Sequence, residues 1–298
     1  MIDALVKPED AQRVLEEAFR SFGHGNAAMQ ERIRTEAGGV KLSTLGAVIP
    51  EQEVAGAKVY TTINGQFSFV ILLFSTLDGR PLASFDAQGI TRLRTAACSV
   101  LAARYLARAD CRHMALFGAG VQGCAHAVAM AKAFALKEIR ISTPHATQEL
   151  TEQLQRACAT TVRICGVAEA LDGADIIVTA SRSPSPLFRG DQLPRGCFVA
   201  AIGSSLPHKR ELDDRALERA ACIAVEWLPQ TQREAGELAL AGVDALDRSK
   251  LVELGALVSG QAIGRRSADD ITLYKSVGVG LQDVALAGLA WKELQTTG

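Results

Sequence analysis

The apolar positions at the start of the chain follow a helical period. Between residues 11 and 22 they recur at the spacing of one face of an α-helix, at Val14, Leu15, Ala18, Phe19 and Phe22. Pro8 lies near the first turn of this predicted helix, where proline is tolerated because the first backbone N–H groups have no intrahelical partner. Gly23 and Gly25 follow, so we expect the helix to end there.

The next apolar segments have the composition of β-strands. Residues 54–62, 67–74 and 81–85 are rich in β-branched and aromatic side chains, and Asp78-Gly79 marks a turn before the last of them. They predict two or three antiparallel strands in a sheet of their own. The alternating stretch around Arg32-Ile33-Arg34 could be a further strand, on which both arginines would simply face solvent.

After residue 112 the pattern changes to short strands that alternate with helices. Such alternation is typical of a parallel sheet covered by helices. The predicted strands cover residues 138–142, 161–165, 175–180, 197–202 and 221–226, and the predicted helices cover 145–159 and 167–171. The fold class is therefore α/β, with a Rossmann-type doubly wound parallel sheet that follows an α+β N-terminal domain.

A glycine-rich loop connects the first strand and the first helix of this parallel sheet. The apolar run 113–117 leads into Gly118-Ala119-Gly120-Val121-Gln122-Gly123, and an alanine-rich helix follows. In the G-x-G-x-x-G pattern, the first glycine allows the tight turn and the second lets a pyrophosphate approach the backbone. The third lets helix and strand pack closely, and the helix N-terminus offers N–H groups to the anion. The loop predicts a dinucleotide-binding site.

Further residues of the cofactor site follow from the rule that ligands of such sheets lie beyond the carboxyl ends of the strands. The rule indicates Thr179 and Ser181 after one strand, and Gly203 and Ser204 after the next. The second strand normally ends near the residue that distinguishes NAD from NADP. Here the segment around Thr143 offers hydroxyl groups with neither a carboxylate nor an arginine, which favours NADP over NAD.

Two basic residues of the N-terminal third stand out by their positions. Arg94 lies in the first turn of a helix predicted over residues 90–106, where the helix dipole favours anions. Its position becomes sensible if a carboxylate or a phosphate is bound beside it. Lys58 shares a strand face with Gly56 and Tyr60, and a lone lysine on a strand is usually exposed.

Composition and charge exclude several classes of protein. The chain has 298 residues, which is room for about two domains, with 48% hydrophobic and 22% charged residues. A net charge of −1 gives no basic surface for nucleic acid. We expect neither a bilayer-spanning segment nor a secretory signal, and seven scattered cysteines indicate reduced thiols in a cytoplasmic protein.

The sequence predicts no metal site. The five histidines have no H-x-x-x-H spacing, and no C-x-x-C pair is present. Asp213, Asp214, Glu234 and Glu237 are expected to cap helices or to face solvent rather than to bind a metal.

Five segments form a pattern that is more specific than the glycine motif alone. They are Gly56-Ala57-Lys58, Ile90-Thr91-Arg92-Leu93-Arg94-Thr95-Ala96-Ala97, Gly118-Ala119-Gly120-Val121-Gln122-Gly123, Ala201-Ile202-Gly203-Ser204-Ser205-Leu206-Pro207 with Arg210-Glu211-Leu212-Asp213, and Tyr274-Lys275-Ser276-Val277-Gly278 with Gln282-Asp283. Together they resemble the ornithine cyclodeaminase/μ-crystallin family, and the resemblance covers nearly the whole chain.

The resemblance implies a homodimer of a two-domain chain. Residues 1–110 would form a substrate-binding and dimerisation domain, to which a C-terminal helix at 270–298 returns, and residues 111–269 would form the Rossmann dinucleotide-binding domain. It also implies a nicotinamide cofactor and a substrate that is an α-amino acid or its imine. The chemistry shared by the family is hydride transfer at the carbon that bears the nitrogen and the carboxylate.

The resemblance also assigns roles to single residues. Lys58 matches the family's active-site lysine, and Arg94 matches an arginine near the substrate carboxylate and the cofactor. The substrate arginine of the N-terminal strand is best matched by Arg32, with Arg34 as the alternative. Contacts with the cofactor are matched by Val121, Gln122 and Ser276.

Two positions depart from the family pattern. Ornithine cyclodeaminases carry an aspartate two residues before the proline that matches Pro207, and the resemblance assigns that aspartate to amine activation and ring closure. Ser205 stands there in this chain, and a hydroxyl cannot serve as a resting general base. A polar residue or a histidine would be usual near Phe67, so Phe67 and Phe69 could make the substrate side pocket more apolar.

The leading hypothesis is reduction of a C=N bond with NADPH or NADH, in a cyclic ketimine carboxylate or in an imine formed from a 2-oxo acid. Arg32 and Arg94 would hold the carboxylate, and Lys58 would stabilise the site electrostatically or relay a proton to the nitrogen. Two alternatives remain open. One is ornithine cyclodeamination to proline and ammonia, and the other is a ligand-binding protein with little turnover.

Overall fold

The structure is a computed structural model that describes residues 5–297. The chain divides into two compact units, unit 1 with Met1–Cys98 and Gly278–Gly298, and unit 2 with Ser99–Val277. This division differs from the boundaries expected after residues 110 and 269. One boundary falls inside the helix Gln88–Leu106, which begins in unit 1 and ends in unit 2.

Unit 1 is built on a five-stranded antiparallel sheet. The strands are β1 (Ala28–Ala37), β2 (Val40–Ile49), β3 (Val54–Ile63), β4 (Gln66–Ser75) and β5 (Pro81–Asp86), in that spatial order. Its helical segments are α1 (Pro8–Gly23), the part of α2 (Gln88–Leu106) up to Cys98, α10 (Gly280–Thr297) and a short 3-10 turn at Pro50–Gln52.

The sequence predicted three of these strands well and missed part of the sheet. The segments expected at 54–62, 67–74 and 81–85 are confirmed as β3, β4 and β5. The expected number of two or three antiparallel strands is too low. The possible strand around Arg32-Ile33-Arg34 is confirmed as β1, and β2 brings the sheet to five strands. β2 lacks a clear alternation and contains Gly46, where a Cβ would lie 2.6 Å from the carbonyl oxygen of Gly56.

Helix α10 covers the inner face of this sheet. It contacts all five strands and helix α1, and its apolar side chains from Leu281 to Ala290 are buried. The close approach depends on small residues, because a Cβ on Gly280 would overlap the carbonyl oxygen of Gly46. The buried apolar surface stabilises the unit at about 25 cal/mol per Å².

The outer face of the sheet is apolar and open. Along β4, buried residues alternate with Val70, Leu72 and Phe74, which are 45%, 40% and 39% exposed. Val48 on β2 lies on the same face, because Val48 and Phe74 are both paired in register with Ala55 on β3. Apolar surface of this kind on a folded chain is a candidate contact surface.

Unit 2 is built on an eight-stranded parallel sheet with the spatial order β12-β11-β13-β10-β9-β6-β7-β8. Its strands are β6 (His113–Phe117), β7 (Glu138–Ser142), β8 (Thr161–Ile164), β9 (Ile176–Thr179), β10 (Phe198–Ala201), β11 (Ala220–Val225), β12 (Leu251–Glu253) and β13 (Ile271–Lys275). Its helices are α3 (Val121–Ala133), α4 (Gln148–Cys158), α5 (Val167–Leu171), α6 (Asp214–Arg219), α7 (Leu228–Glu234), α8 (Gly236–Ala239) and α9 (Leu254–Val258), with 3-10 turns at Gly190–Gln192 and Arg248–Lys250.

The parallel sheet confirms the predicted fold class. The strand order reverses between β6 and β9. One half of the sheet is therefore formed by β6, β7 and β8, and the other half is formed by β9, β10, β13, β11 and β12. A reversal of this kind leaves a crevice beyond the carboxyl ends of the two central strands, where ligands of open α/β sheets bind.

The C-terminal helix expected at 270–298 is wrong at its start. Ile271–Lys275 forms β13 in the middle of the parallel sheet, paired with β10 on one side and β11 on the other. All five of its residues are buried, so the segment lacks the alternation that marks a strand with one exposed face. Helix α10 begins only at Gly280.

The cysteines of the chain are all free thiols. None of the seven cysteines forms a disulfide. Burial raises the pKa of the Cys111, Cys158 and Cys222 thiols to about 11, which keeps them protonated. Between residues 5 and 297, no helix has the length and apolar content needed to cross a membrane.

Candidate active site

Two buried basic residues of unit 1 share one buried carboxylate. The Nζ of Lys58 on β3 lies 2.8 Å from Oδ2 of Asp283 on α10, and the Nε of Arg94 on α2 lies 3.1 Å from Oδ1. The Nη1 of Arg94 also donates to Oε1 of Gln282 at 2.6 Å. Lys58 is therefore not an exposed strand lysine, because helix α10 covers its face of the sheet.

Arg32 adds a third positive charge beside this pair. Its Nη2 donates to the carbonyl oxygen of Gly278 at 2.8 Å, and its charge acts on Lys58 and on Asp283. A β-bulge between Gln30 and Ile33 shifts the register of β1 at this point. Alternation in the sequence therefore could not predict which face of the sheet Arg32 occupies. We call Arg32, Lys58, Arg94 and Asp283 the cation cluster.

The cation cluster changes the proton affinity of its members. The pKa of Lys58 is lowered to about 7, mainly by burial, while the charge of Asp283 raises it and the charge of Arg94 lowers it. Burial alone would raise the pKa of Asp283, but Arg94 and Lys58 favour its ionised form and lower the pKa below its usual value. At neutral pH the cluster therefore holds an ionised carboxylate beside a lysine that can release or accept a proton.

The arrangement also explains the unusual position of Arg94. Helix α2 begins at Gln88, two residues before the predicted start, so Arg94 lies in its second turn rather than its first. The anion expected beside it is the carboxylate of Asp283, which lies in the first turn of α10, where the helix dipole favours a negative charge. Three basic side chains surround this single carboxylate, which leaves excess positive charge when Lys58 is protonated.

Three aromatic rings extend from Lys58 along the same face of the sheet. The Nζ of Lys58 lies 5.5 Å from the centroid of the Phe69 ring. The Phe67 ring stacks on Phe69 with centroids 5.5 Å apart, and Tyr60 is tilted against both rings. Tyr60 is buried whereas Phe67 is 45% exposed, so the rings lead from the buried lysine to the surface. We call Tyr60, Phe67 and Phe69 the aromatic wall.

In unit 2, the geometry of the three loop glycines is compatible with the binding of a pyrophosphate. Gly118 has a φ of +92°, and a Cβ on it would lie 2.6 Å from the carbonyl oxygen of Ala180. A Cβ on Gly123 would overlap the carbonyl oxygen of Gly118, so this glycine lets α3 pack on β6. A Cβ on Gly120 would meet nothing within 4 Å, and Gly120 caps α3 without a side chain. The loop therefore fits a dinucleotide.

The carboxylate of Glu211 accepts hydrogen bonds from residues at the ends of β9 and β10. Its Oε2 accepts from the hydroxyl of Thr179 and from the backbone N–H of Gly203, both at 2.8 Å. Its Oε1 accepts from the backbone N–H and from the hydroxyl of Ser181, both at 2.7 Å. Thr179 and Glu211 are both fully buried, so the Thr179 side chain lies behind the rim of the sheet and reaches it through Glu211.

A second buried acid holds Glu211 in place. Oε1 of Glu237 accepts from the backbone N–H of Glu211 at 2.8 Å, and its Oε2 lies 2.9 Å from Nζ of Lys275. Lys275 also donates to the carbonyl oxygen of Ser204 at 2.8 Å. The expectation that Glu234 and Glu237 cap helices or face solvent is wrong, because both side chains are buried.

The other residues predicted to contact the cofactor also belong to unit 2 and follow its strands or begin helix α3. Ser276 follows β13, and its hydroxyl donates to the buried Glu226. Val121 begins α3 and is 70% exposed, and Gln122 beside it is partly exposed. Thr143 follows β7 and is also partly exposed.

Asp283, Glu211, Glu226 and Glu237 received no functional role from the sequence. Asp283 and Glu211 lie within the family-like segments, and Asp283 stands among apolar residues of a helix. An acid in an apolar segment needs a partner, because burial of an unpaired charge is costly, and that signal could have found it. Among residues 5–297, no three His, Cys, Asp or Glu side chains are grouped to hold a metal.

The parallel sheet and its glycine loop define a dinucleotide-binding α/β protein. More specifically, the chain belongs to the ornithine cyclodeaminase/mu-crystallin family, whose model matches residues 2–297. This match confirms the resemblance seen in the five sequence segments.

Known relatives and solved structures cover almost the whole chain. It is 29% identical over 290 residues to the ketimine reductase mu-crystallin of Rattus norvegicus, covering 93% of this chain and 90% of the relative. The structure of a probable ornithine cyclodeaminase from Bordetella pertussis Tohama I is 57% identical, with a TM-score of 0.97 and coverage of 99% and 96%. The iminosuccinate reductase of Paracoccus denitrificans, solved in complex with NAD+, is 25% identical, with a TM-score of 0.93 and coverage of 100% and 95%.

Proposed function

We propose that this chain uses NADPH or NADH to reduce the C=N bond of a cyclic ketimine carboxylate, or of an imine formed from a 2-oxo acid, to an L-amino acid. The observation that carries the proposal is the cation cluster, in which three basic side chains surround one buried carboxylate. The names of the ketimine reductase and iminosuccinate reductase relatives support the same type of reaction.

The excess positive charge of the cation cluster suits the carboxylate of such a substrate. Arg32 and Arg94 would bind it, since a guanidinium can donate two parallel hydrogen bonds to one carboxylate. Arg94 is held in place by Asp283 and Gln282, so little side-chain freedom is lost when the substrate binds. Ion pairs in a buried site are also stronger than ion pairs in water.

Lys58 would supply the proton that the nitrogen needs. Reduction of C=N adds a hydride to the carbon and a proton to the nitrogen, and a group with a pKa of about 7 can donate that proton near neutral pH. Asp283 orients the ammonium group through the contact at 2.8 Å. If Lys58 instead acts only by its charge, it would still stabilise the substrate carboxylate.

A reduced nicotinamide cofactor, when bound, supplies the hydride. In this chain the N-terminus of α3 would hold its pyrophosphate, through Gly118, Gly120, Val121, Gln122 and Gly123. The ends of β9, β10 and β13 would shape the site at the other mononucleotide, through Thr179, Ser181, Gly203, Ser204 and Ser276. The segment at Thr143 has no carboxylate for a ribose 2′-hydroxyl, so we favour NADPH, although a relative was solved with NAD+.

The aromatic wall would contact the rest of the substrate. A carboxylate bound at Arg32 and Arg94, with the imine nitrogen at Lys58, would bring the substituent of the imine carbon near Phe69, whose ring lies 5.5 Å from the lysine nitrogen. Phe67 continues the same apolar surface outward. We therefore expect a substrate with a hydrocarbon substituent, such as the ring carbons of a cyclic ketimine, rather than one with a charged side chain.

Ornithine cyclodeamination is the second candidate. It is favoured by the Bordetella pertussis structure, which is 57% identical and is described as a probable ornithine cyclodeaminase. Against it stands Ser205, since the cyclodeaminase pattern places at this position the aspartate that activates the amine. A serine hydroxyl cannot replace that carboxylate as a resting base.

We further propose that the chain works as a homodimer in the cytoplasm. The open outer face of the unit 1 sheet, with Val48, Val70, Leu72 and Phe74, would be covered by a second copy because its exposure to water is unfavourable. Seven cysteines without a disulfide fit a reducing compartment.

The proposed reaction is tested by following NADPH and NADH oxidation with five- and six-membered cyclic ketimine carboxylates and with 2-oxo acids in the presence of ammonia. Ornithine with NAD+ is tested in parallel by an ammonia assay. We expect oxidation that depends on the ketimine, with no ammonia from ornithine. Ammonia and proline from ornithine would establish the second candidate instead. Cofactor binding without turnover on any imine would favour a ligand-binding protein with little turnover.

A further inference from the structure

Glu211 uses both of its carboxylate oxygens to collect hydrogen-bond donors from two strand ends. The donors are the hydroxyl of Thr179, the N–H and hydroxyl of Ser181, and the N–H of Gly203, at 2.7–2.8 Å. Each oxygen accepts two of them. Only an ionised carboxylate can accept all four without presenting a hydrogen of its own. The four donors are therefore arranged around the negative charge of Glu211 itself.

The strand ends that Glu211 ties together lie on one side of the sheet reversal. In a doubly wound sheet, the half that contains the first and second strands binds the adenosine end of a dinucleotide, since the residue after the second strand contacts its ribose. That half is β6, β7 and β8 here, and β9 and β10 belong to the other half. Ser181 and Gly203 therefore lie where the nicotinamide end would bind.

The direction of the hydrogen bonds decides what this rim can recognise. The backbone N–H groups of Ser181 and Gly203 point to Glu211, so they are not available to a ligand. In this state neither N–H group can bind an anion. A phosphate has only acceptors to offer and needs such donors, whereas a nicotinamide and its ribose also carry donors of their own.

We propose that Glu211 is a positioning residue that withholds these donors from a phosphate and thereby reserves the ends of β9 and β10 for the nicotinamide end of the cofactor. The inference rests on the proposed function only in taking a nicotinamide nucleotide as the ligand. The pyrophosphate stays with the N-terminus of α3, where N–H groups point outward. Glu211 thus assigns the two ends of the cofactor to two chemically different surfaces of unit 2.

Two further observations indicate that the ends of β9 and β10 are held in a fixed position around Glu211. Glu237 accepts from the backbone N–H of Glu211 and also contacts Lys275, and Lys275 holds the carbonyl oxygen of Ser204. A Cβ on Gly203 would overlap both Oε1 of Glu211 and the carbonyl oxygen of Ser181. The two strand ends and the carboxylate are therefore in direct contact, with no space between them for a side chain.

The test compares each reduced cofactor with the matching ligand that lacks only the nicotinamide. Glu211→Gln keeps the shape of the side chain but replaces one oxygen with an NH2 group, which would face two donors in either orientation. NADPH and NADH are titrated by fluorescence, and ADP-ribose and its 2′-phosphate by calorimetry. We expect the dissociation constant of the reduced cofactor to rise about tenfold or more, with that of the ADP-ribose ligands changed less than about twofold.

Thr179→Val removes one donor while keeping the size of the side chain, and it should give a smaller loss in the same direction. Glu152→Gln on the exposed surface of α4 is the matched control and should change neither ligand. Equal losses for both ligands, or no loss for NADPH and NADH, would overturn the inference. If Glu211→Gln does not fold, the Thr179→Val titrations decide. Binding does not require turnover, so failure of the imine-reduction assay would leave this result separate.

Discussion

The carboxylate of Asp283 contacts the ammonium group of Lys58 at 2.8 Å, across 225 positions of sequence. The same carboxylate contacts Arg94 at 3.1 Å, and all three side chains are buried. A single acid thus balances two buried cations. Several consequences of this pairing can be measured.

Replacement of Lys58 with alanine should remove most turnover. If the lysine donates the proton, kcat for imine reduction should fall by about 10²- to 10⁴-fold. Cofactor binding should be retained, because the glycine loop belongs to unit 2. The measurements are steady-state kinetics and a fluorescence titration with NADPH. Lys41→Ala, which removes an exposed lysine of the same sheet, should leave both unchanged, and normal turnover of Lys58→Ala would contradict the assignment.

The pH profile should report the titration of Lys58. Its pKa in the folded chain is about 7, so the protonated donor is lost as pH rises through that value. We expect kcat/KM for imine reduction to decline above pH 7 and the reverse oxidation to increase over the same range. In Lys58→Arg this break should be absent, since arginine stays protonated. A break that persists in Lys58→Arg would have to come from another group.

The free energy of unfolding should also depend on the titration of Lys58. The folded pKa of about 7 lies below the ordinary value of 10.5, so between these values the unfolded chain binds more protons. The contribution of Lys58 to the free energy of unfolding therefore rises with pH across that window.

Asp283→Asn should destabilise unit 1 strongly. It leaves Lys58 and Arg94 buried without their counter-charge, and loss of one partner of a buried ion pair costs about 3–5 kcal/mol. Asp283 also raises the pKa of Lys58, so the break in the activity profile should move to lower pH. Urea unfolding and the pH profile check both. Asp10→Asn, which removes an exposed ion pair with Arg13, should cost about 1 kcal/mol or less.

Phe67→Asn should alter substrate preference rather than the reaction itself. The exposed ring at the end of the aromatic wall would lose its apolar contact with large hydrocarbon substituents. We expect kcat/KM for bulky ketimines to fall about tenfold or more, with small imines much less affected. The check is a substrate series of increasing substituent size. Leu77→Asn, at an exposed turn, is the control, and a uniform loss across the series would contradict a role in specificity.

Leu72→Glu should convert a dimer into monomers. The substitution places a charge on the open outer face of the sheet, where burial against a second copy would be costly. Light scattering coupled to gel filtration measures the mass directly. Val243→Glu introduces the same charge at an exposed site of unit 2 and should leave the mass unchanged. A wild-type chain that is already monomeric would overturn the proposal.

The sequence predicted much of the fold because most elements follow simple rules. The glycine loop, the alternating strands and helices of unit 2, and the hairpins from β3 to β5 all carry local signals. β13 was missed because a strand buried on both faces has no alternation. β2 was missed because its residues lack a clear alternation and because Gly46 serves a contact with Gly280 of α10, which is far away in sequence.

The candidate site was less accessible to the same reasoning. Resemblance pointed to Lys58, Arg94 and Arg32, but nothing local predicts that Lys58 is buried. That depends on α10, which returns from the end of the chain. The role of Glu211 was hidden for a similar reason. It depends on Thr179 and Ser181, which lie 32 and 30 positions away and meet Glu211 only because parallel strands end at one edge of the sheet.

The position of Asp283 near the end of the chain also constrains biosynthesis. During translation, Lys58 and Arg94 leave the ribosome about two hundred residues before their counter-charge does, at roughly 5–20 residues per second. For that interval the first sheet lacks both its covering helix and its acid. Unit 1 therefore completes its folding only after the whole of unit 2 has been synthesised, and the nascent sheet would depend on chaperones to shield its apolar inner face.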